Sequence, residues 1–271
     1  KADRVCSSKE ENAFLQKYLD NGSGKILPGA ALVGAGCGSY ELITLKGLSE
    51  IRRAEVIVYD DLIDEHLLEF AQESCELIYA GKRSGRHSKA QEEINELLVA
   101  KALEGKYIVR LKGGDPYVFG RGGEEALALK AHGIPVHEVP GVTSSIGLCG
   151  IAGIPVTHRG ASRGFHVITG HTADNLPSEV EEIRWKSYAK LDETFVFLMG
   201  LKSIDMITEK LMRYGKLSDT PVAVIHGENT DGTYVKLVGT LSDIAAKVKE
   251  VDFPSPAIIV VGEVASLELT D

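Results

Sequence analysis

No uninterrupted apolar run in this chain approaches the ~20 residues that a helix needs to cross a bilayer. The longest, residues 257–262 with their neighbours, has the length of a strand, so no membrane span is expected. The apolar core of a signal peptide is also missing, because residues 1–11 are charged; the expected location is the cytoplasm. Cysteine is scarce and scattered. Cys6, Cys37, Cys75 and Cys149 form no C-x-x-C pair, which removes the usual zinc and redox frameworks and leaves free thiols as the expectation. The eight histidines show no H-E-x-x-H or other paired spacing, so no protein-bound metal is expected. Basic charge falls short as well: 30 basic against 39 acidic residues give −9. That balance argues against nucleic acid or an anionic membrane as the main partner and for a small molecule, although a local basic cluster still attracts a polyanion.

What is present is the composition of an ordinary folded enzyme. At 271 residues, 44% hydrophobic and 25% charged, the chain is neither disordered nor fibrous and is long enough for two domains with separate cores. Residues 1–28 combine a polar, helix-leaning stretch with the flexible break Asn21-Gly22-Ser23-Gly24 and are expected to form an attached arm or linker. Lys1 stands where a natural start would be methionine, which fits a trimmed chain or one piece of a longer polypeptide. Beyond the arm, short β-rich runs alternate with helical patterns, the sign of α/β units. Strands are expected at residues 30–34, 55–59, 76–80, 107–112 and 136–139. Between the third and fourth, Ser88 and Gln91 have capping-box spacing and Gly105 ends a helix that buries Ile94, Leu97, Leu98 and Ala102. Glycines and Pro155 interrupt the pattern at residues 153–164, which sets the expected domains at 29–157 and 158–271. In the second, strands are expected at 165–169, 194–199, 221–226, 233–239 and 257–262, with helices over 202–214 and from Leu241. Some of these strands lie too close in sequence for a crossover, so part of the second sheet is expected to be antiparallel.

Six segments carry candidate chemistry. Gly34-Ala35-Gly36-Cys37-Gly38 is a glycine turn after a strand, which admits close approach of a ligand, but its third glycine is misplaced for the dinucleotide fingerprint. Asp60 follows the second strand, where ligands bind in open α/β sheets; a cap for the segment near Asp64 is the other reading. Lys82, Arg83, Arg86 and His87 crowd the loop after the third strand, favouring an anion, and no P-loop spacing is present. The stretch from residue 111 to 125 holds five glycines and a proline around Asp115, Arg121 and Glu124, more shape and charge than a connector needs. Pro140-Gly141-Val142-Thr143-Ser144-Ser145 leads into a helix whose first amides and hydroxyls suit a carboxylate or ribose, and His158 and Arg159 stand at the domain boundary.

Taken in order, GKRSGRHSKAQEEIN, GGDPYVFGRGGEE, PGVTSSIG, GIPVTHRG and SPAIIVVGEV make the chain, from about Gly29 to Val264, resemble the uroporphyrinogen III C-methyltransferases of the tetrapyrrole methylase superfamily. The resemblance implies two α/β domains with S-adenosyl-L-methionine bound in the cleft between them, in a homodimer, and precorrin-2 as product for sirohaem or cobalamin. Fusion to uroporphyrinogen III synthase is a habit of the family. By the same resemblance the donor pocket includes Cys37, Gly113, Gly114, Asp115, Val118, Thr143, Ser144, Met199 and Glu228. Asp60 and Lys82 match acid and base positions, and Arg121 and Glu124 match substrate-facing ones. The chain departs from the family at Cys37, where proline is usual, at Ser39-Tyr40, where an aspartate-proline pair is usual, and at Glu228, where a small residue is preferred. Three other readings compete: a methylase of a later corrinoid intermediate, a nicotinamide-dependent oxidoreductase using the Gly34 turn and Asp60, and a module that binds a tetrapyrrole without turnover.

Overall fold

A computed structural model describes residues 27–81, 91–170, 177–227, 233–267 and 269. The chain divides into two compact units between Thr143 and Ser144.

In the first unit five strands, β1 (Gly29–Gly34), β2 (Val56–Tyr59), β3 (Glu76–Tyr79), β4 (Tyr107–Lys112) and β5 (Val136–Val139), form one sheet in the order β3-β2-β4-β1-β5. All of its pairings are parallel. The two central strands, GAALVG and YIVRLK, are buried along their whole length, as strands covered on both faces must be. Alternation sorts their side chains. Ala30, Leu32, Val56, Val58 and Ile108 face the helices α2 (Gln91–Leu103) and α3 (Gly122–Ala131), while Ala31, Val33, Ile57, Val109 and Leu111 face α1 (Leu45–Arg53) and the 3-10 turn Glu65–Phe70. α2 buries Ile94, Leu98, Val99 and Ala102 with Leu97 partly covered, and Gly105 at φ +84° closes the turn after it. The expected cap, Ser88, lies outside the described residues.

The second unit opens with α4 (Ser144–Ile151), which the boundary expected from sequence had placed in the first. Its sheet has the order β6-β7-β10-β8-β9, built from β6 (Phe165–Thr169), β7 (Thr194–Leu198), β8 (Pro221–Gly227), β9 (Tyr234–Thr240) and β10 (Ile258–Val261). Only the β6–β7 pair is parallel, in keeping with the short spacings. Phe195, Phe197, Val222, Val224, Ile259 and Val261 form one core face against α5 (Ser178–Lys190), α6 (Ile204–Arg213) and α7 (Ile244–Glu250). α4 packs on β7, β8 and β10, close enough that a Cβ on Gly227 would lie 2.4 Å from Leu148 Cδ2. Two helices differ from expectation. α5 has no counterpart in the sequence reading, because Trp185 and Ala189 are its only buried residues and no apolar stripe marks it. The helix expected from Leu241 begins at Ile244, after a turn in which the Asp243 carboxylate accepts from Thr240 N at 2.7 Å. Among the described residues no helix is long and apolar enough to cross a membrane.

Candidate functional site

The order of the first sheet creates a switch point. From β1 the chain crosses over β4 to β2 through α1, and from β4 it crosses over β1 to β5 through α3, on opposite faces of the sheet. Between two strands whose connections part in this way a crevice opens at the carboxyl ends, the ordinary ligand site of an open α/β sheet.

The backbone there is drawn together. Ala35 N donates to Lys112 O at 2.8 Å, and Gly36 and Gly114 exchange two hydrogen bonds of 3.2 and 2.6 Å. A Cβ on Gly34 would stand 2.5 Å from Gly141 Cα and 2.6 Å from Gly114 O, and one on Gly141 would stand 2.1 Å from the same oxygen. Gly36 and Gly114 have φ of +82° and +68°, the left-handed region that glycine reaches at no steric cost. Three strand ends thus meet backbone to backbone, with no side chain between them. Cys37 is buried beside this corner.

Asp115 ties the same loops. Its Oδ1 accepts from Tyr117 N at 2.8 Å and its Oδ2 from Gly141 N at 3.2 Å, so its carboxylate bridges the ends of β4 and β5. Val118 lies half-buried in the following turn. The shaped loop is shorter than the sequence suggested, because α3 starts at Gly122 and takes Glu124 and Glu125 into its first turn. Arg121 caps that helix at φ +58° and grips Glu124 with two hydrogen bonds, Nε to Oε1 at 2.8 Å and Nη2 to Oε2 at 2.6 Å. Both side chains are exposed, and the pairing holds the Glu124 carboxyl below the usual carboxylate range.

Asp60, at the end of β2, accepts from Leu62 N at 3.2 Å through Oδ1 and from Arg110 Nη2 at 2.8 Å through Oδ2. The cap of the nearby 3-10 turn is a different residue, Asp64, which also accepts from Tyr40 N at 2.9 Å and so anchors the segment after the glycine turn. Behind Asp60 lies a cluster that sequence reasoning missed: Arg110 and Lys112 of β4 converge on Glu125 of α3. Two cations at alternate positions of an otherwise apolar buried strand were the available signal. Burial, reinforced by the charge of Arg110, pulls the Lys112 ammonium below the usual lysine range although Glu125 opposes the shift.

The remaining expected residues fall elsewhere. Thr143 ends the first unit and Ser144 opens α4 of the second, both half-buried. Met199 follows β7, exposed and at φ +56°, and a Cβ on Gly170 at the end of β6 would lie 2.2 Å from Gly200 Cα beside it. Lys82 and Glu228 lie outside the described residues. So do Arg83, Arg86 and His87. Among the described residues Cys37, Cys75 and Cys149 form no disulfide with one another, and burial raises the Cys75 thiol to about 11. Among the described residues no group of three or more His, Cys, Asp or Glu is placed to hold a metal ion.

An α/β chain of two sheets, the first with glycine-rich strand ends meeting at its β1–β4 switch point, defines the class, and the comparisons give the family. The chain belongs to the tetrapyrrole (corrin/porphyrin) methylases, whose profile matches residues 31–245. It is 49% identical over 247 residues to a uroporphyrinogen-III C-methyltransferase of Methanocaldococcus jannaschii, covering 90% of this chain and 98% of that one. A uroporphyrin-III C-methyltransferase of Thermus thermophilus, crystallised with S-adenyl homocysteine, superposes with a TM-score of 0.72 at 38% identity, covering 87% of this chain and 98% of that one. The siroheme synthase of Actinobacillus pleuropneumoniae is 41% identical over 260 residues, or 96% of this chain, which spans 52% of that longer protein.

Proposed function

We propose that this protein transfers methyl groups from S-adenosyl-L-methionine to ring carbons C2 and C7 of uroporphyrinogen III, giving precorrin-2 for sirohaem or cobalamin. The observation that carries the reading is near-full-length identity of 49% to a uroporphyrinogen-III C-methyltransferase, supported by glycine-rich strand ends at the switch point of the first sheet. Glycine at 34 and 141 lets the ends of β1, β4 and β5 close to main-chain contact, so the wall offered to that donor is backbone rather than side chain. When bound, the donor supplies a sulfonium methyl; a C–C bond forms to the pyrrole carbon as the S–C bond breaks, its electron pair staying on sulfur in S-adenosylhomocysteine.

Cys37, Gly113, Gly114, Asp115, Val118 and Thr143 hold the donor from the first unit, and Ser144, Met199 and Glu228 are the second unit's contributions. Asp60 and Lys82 manage the proton that the methylated ring carbon later loses. Arg121, whose Nε–Nη2 edge is held by Glu124, takes a substrate carboxylate with its remaining Nη1 and Nη2 hydrogens and aligns the ring carbon with the methyl. The protein works in the cytoplasm as a homodimer.

Incubation with enzymatically prepared uroporphyrinogen III and methyl-labelled donor tests the assignment. Two labelled methyl groups per tetrapyrrole are expected. Label incorporated only into a later corrinoid would reassign the substrate, and binding without transfer would leave a tetrapyrrole carrier.

A further inference from the structure

The charged cluster behind Asp60 is costly to bury, and well-packed apolar side chains of the same volume often serve stability as well or better. Glu125 is 0% exposed and Arg110 3%, while Asp60 at 22% is the member that reaches solvent at the carboxyl end of β2. Arg110 is fully engaged: Nε donates to Glu125 Oε1 at 3.2 Å, and Nη1 donates to Val58 O at 3.2 Å and Leu111 O at 2.9 Å. Those bonds leave Nη2 turned towards Asp60 Oδ2. Glu125 Oε1 also accepts from Lys112 Nζ at 2.8 Å and Gln91 Nε2 at 3.3 Å, while Oε2 is buried with no hydrogen-bond partner among the described residues. One carboxylate oxygen thus gathers three donors from β4 and α2. The cluster is arranged around holding Arg110.

We propose that Glu125 is a positioning residue for Asp60, acting through Arg110. By balancing two buried cations and fixing the guanidinium plane, it sets the orientation in which the Asp60 carboxylate meets the substrate's proton. With Leu62 N on Oδ1, Asp60 is held at both oxygens and presents only its remaining lone pairs to the crevice. The proposal rests on the acid–base reading of Asp60 given above, and goes beyond it in assigning the control to a residue that touches neither ligand.

The test is a double-mutant cycle on labelled methyl transfer, with S-adenosylhomocysteine affinity measured beside it. Glu125→Gln is expected to lower kcat by about tenfold or more while KM and S-adenosylhomocysteine affinity stay within about threefold, and to cause no further loss when Asp60→Asn is already present. Glu125→Asp, which keeps the charge but withdraws the carboxylate from Arg110 Nε, is the variant better able to fold and is expected to show the same split. Full activity of Asp60→Asn would remove the acid–base reading itself. An impaired Asp60→Asn beside wild-type kcat in the Glu125 variants would overturn only the positioning role. Equal losses from the Glu125 variants in both backgrounds, or loss of the fold in both variants, would make Glu125 structural and overturn it too.

Discussion

Arg121 occupies a backbone conformation that a side chain with a Cβ pays for, at a cost of order 1–3 kcal/mol for a left-handed residue other than glycine. Its φ of +58° at the start of α3 is matched by the bidentate pair it makes with Glu124, and both side chains stay exposed. A surface pair of this kind contributes little stability. Strain kept without a stabilising return points to function, and two variants separate the terms. Arg121→Gly is expected to raise the melting temperature slightly, by relieving φ, while abolishing turnover. Arg121→Lys keeps the charge but replaces a planar fork with one mobile ammonium. It is expected to retain S-adenosylhomocysteine affinity and lose methyl transfer by about a hundredfold, the scale of a misplacement near 1 Å. Wild-type turnover in the lysine variant, read by label transfer, would take Arg121 out of the mechanism and pass the anchoring role to Arg83, Arg86 or Arg159.

At the scale of elements, the strand ends and the helix that braces them make separate predictions. Gly141→Ala would set a Cβ 2.1 Å from Gly114 O, so the β4 and β5 loops must part. S-adenosylhomocysteine affinity is expected to fall by more than tenfold, with a lower melting temperature, because the displaced backbone is the proposed pocket wall. At the other end of the sheet Glu50 of α1 accepts from Tyr107 of β4 at 2.6 Å and pairs with His137 of β5 at 3.3 Å and Arg53 at 3.6 Å. Burial opposes its ionisation, but the bonds from His137 and Tyr107 with the nearby charges outweigh it, and the carboxyl lies below its ordinary value. A lowered folded pKa means stability that is present above the unfolded value of about 4.3 and lost as pH falls through the folded one. Glu50→Gln is therefore expected to melt several degrees lower at pH 7, with the gap to wild type closing as the pH drops below about 4. The strands themselves were legible to within about a residue or two, since β1 and β4 are apolar runs bounded by glycine and charge. α5 was not, because it buries only two side chains, and the start of α3 was hidden by Gly122 and Gly123. The Arg110–Glu125 pair was out of reach for another reason: side chains from two elements meet there, and spacing along one element does not report it.

For the molecule as a whole, the separate cores of the two units allow each to unfold on its own, so two-state behaviour is not assured in a chain of 271 residues. The motifs that carried the family resemblance were legible, and the family profile covers most of both units. Their distribution over the units is what sequence could not turn into geometry. That distribution now makes a calorimetric prediction. A ligand that binds only the native state stabilises whatever it touches by RT ln(1 + [L]/Kd), about 2.7 kcal/mol at a hundredfold excess over Kd. If Gly113, Gly114 and Asp115 of the first unit and Ser144 and Met199 of the second hold one donor, S-adenosylhomocysteine must raise the unfolding of both units together, at one molecule per chain. NAD, whose pyrophosphate needs the third glycine that the Gly34–Gly38 turn lacks, is expected to move neither. A shift confined to one transition would place the donor on one unit and remove the other's residues from the pocket. A shift with NAD and none with S-adenosylhomocysteine would replace methyl transfer by hydride chemistry at the same crevice.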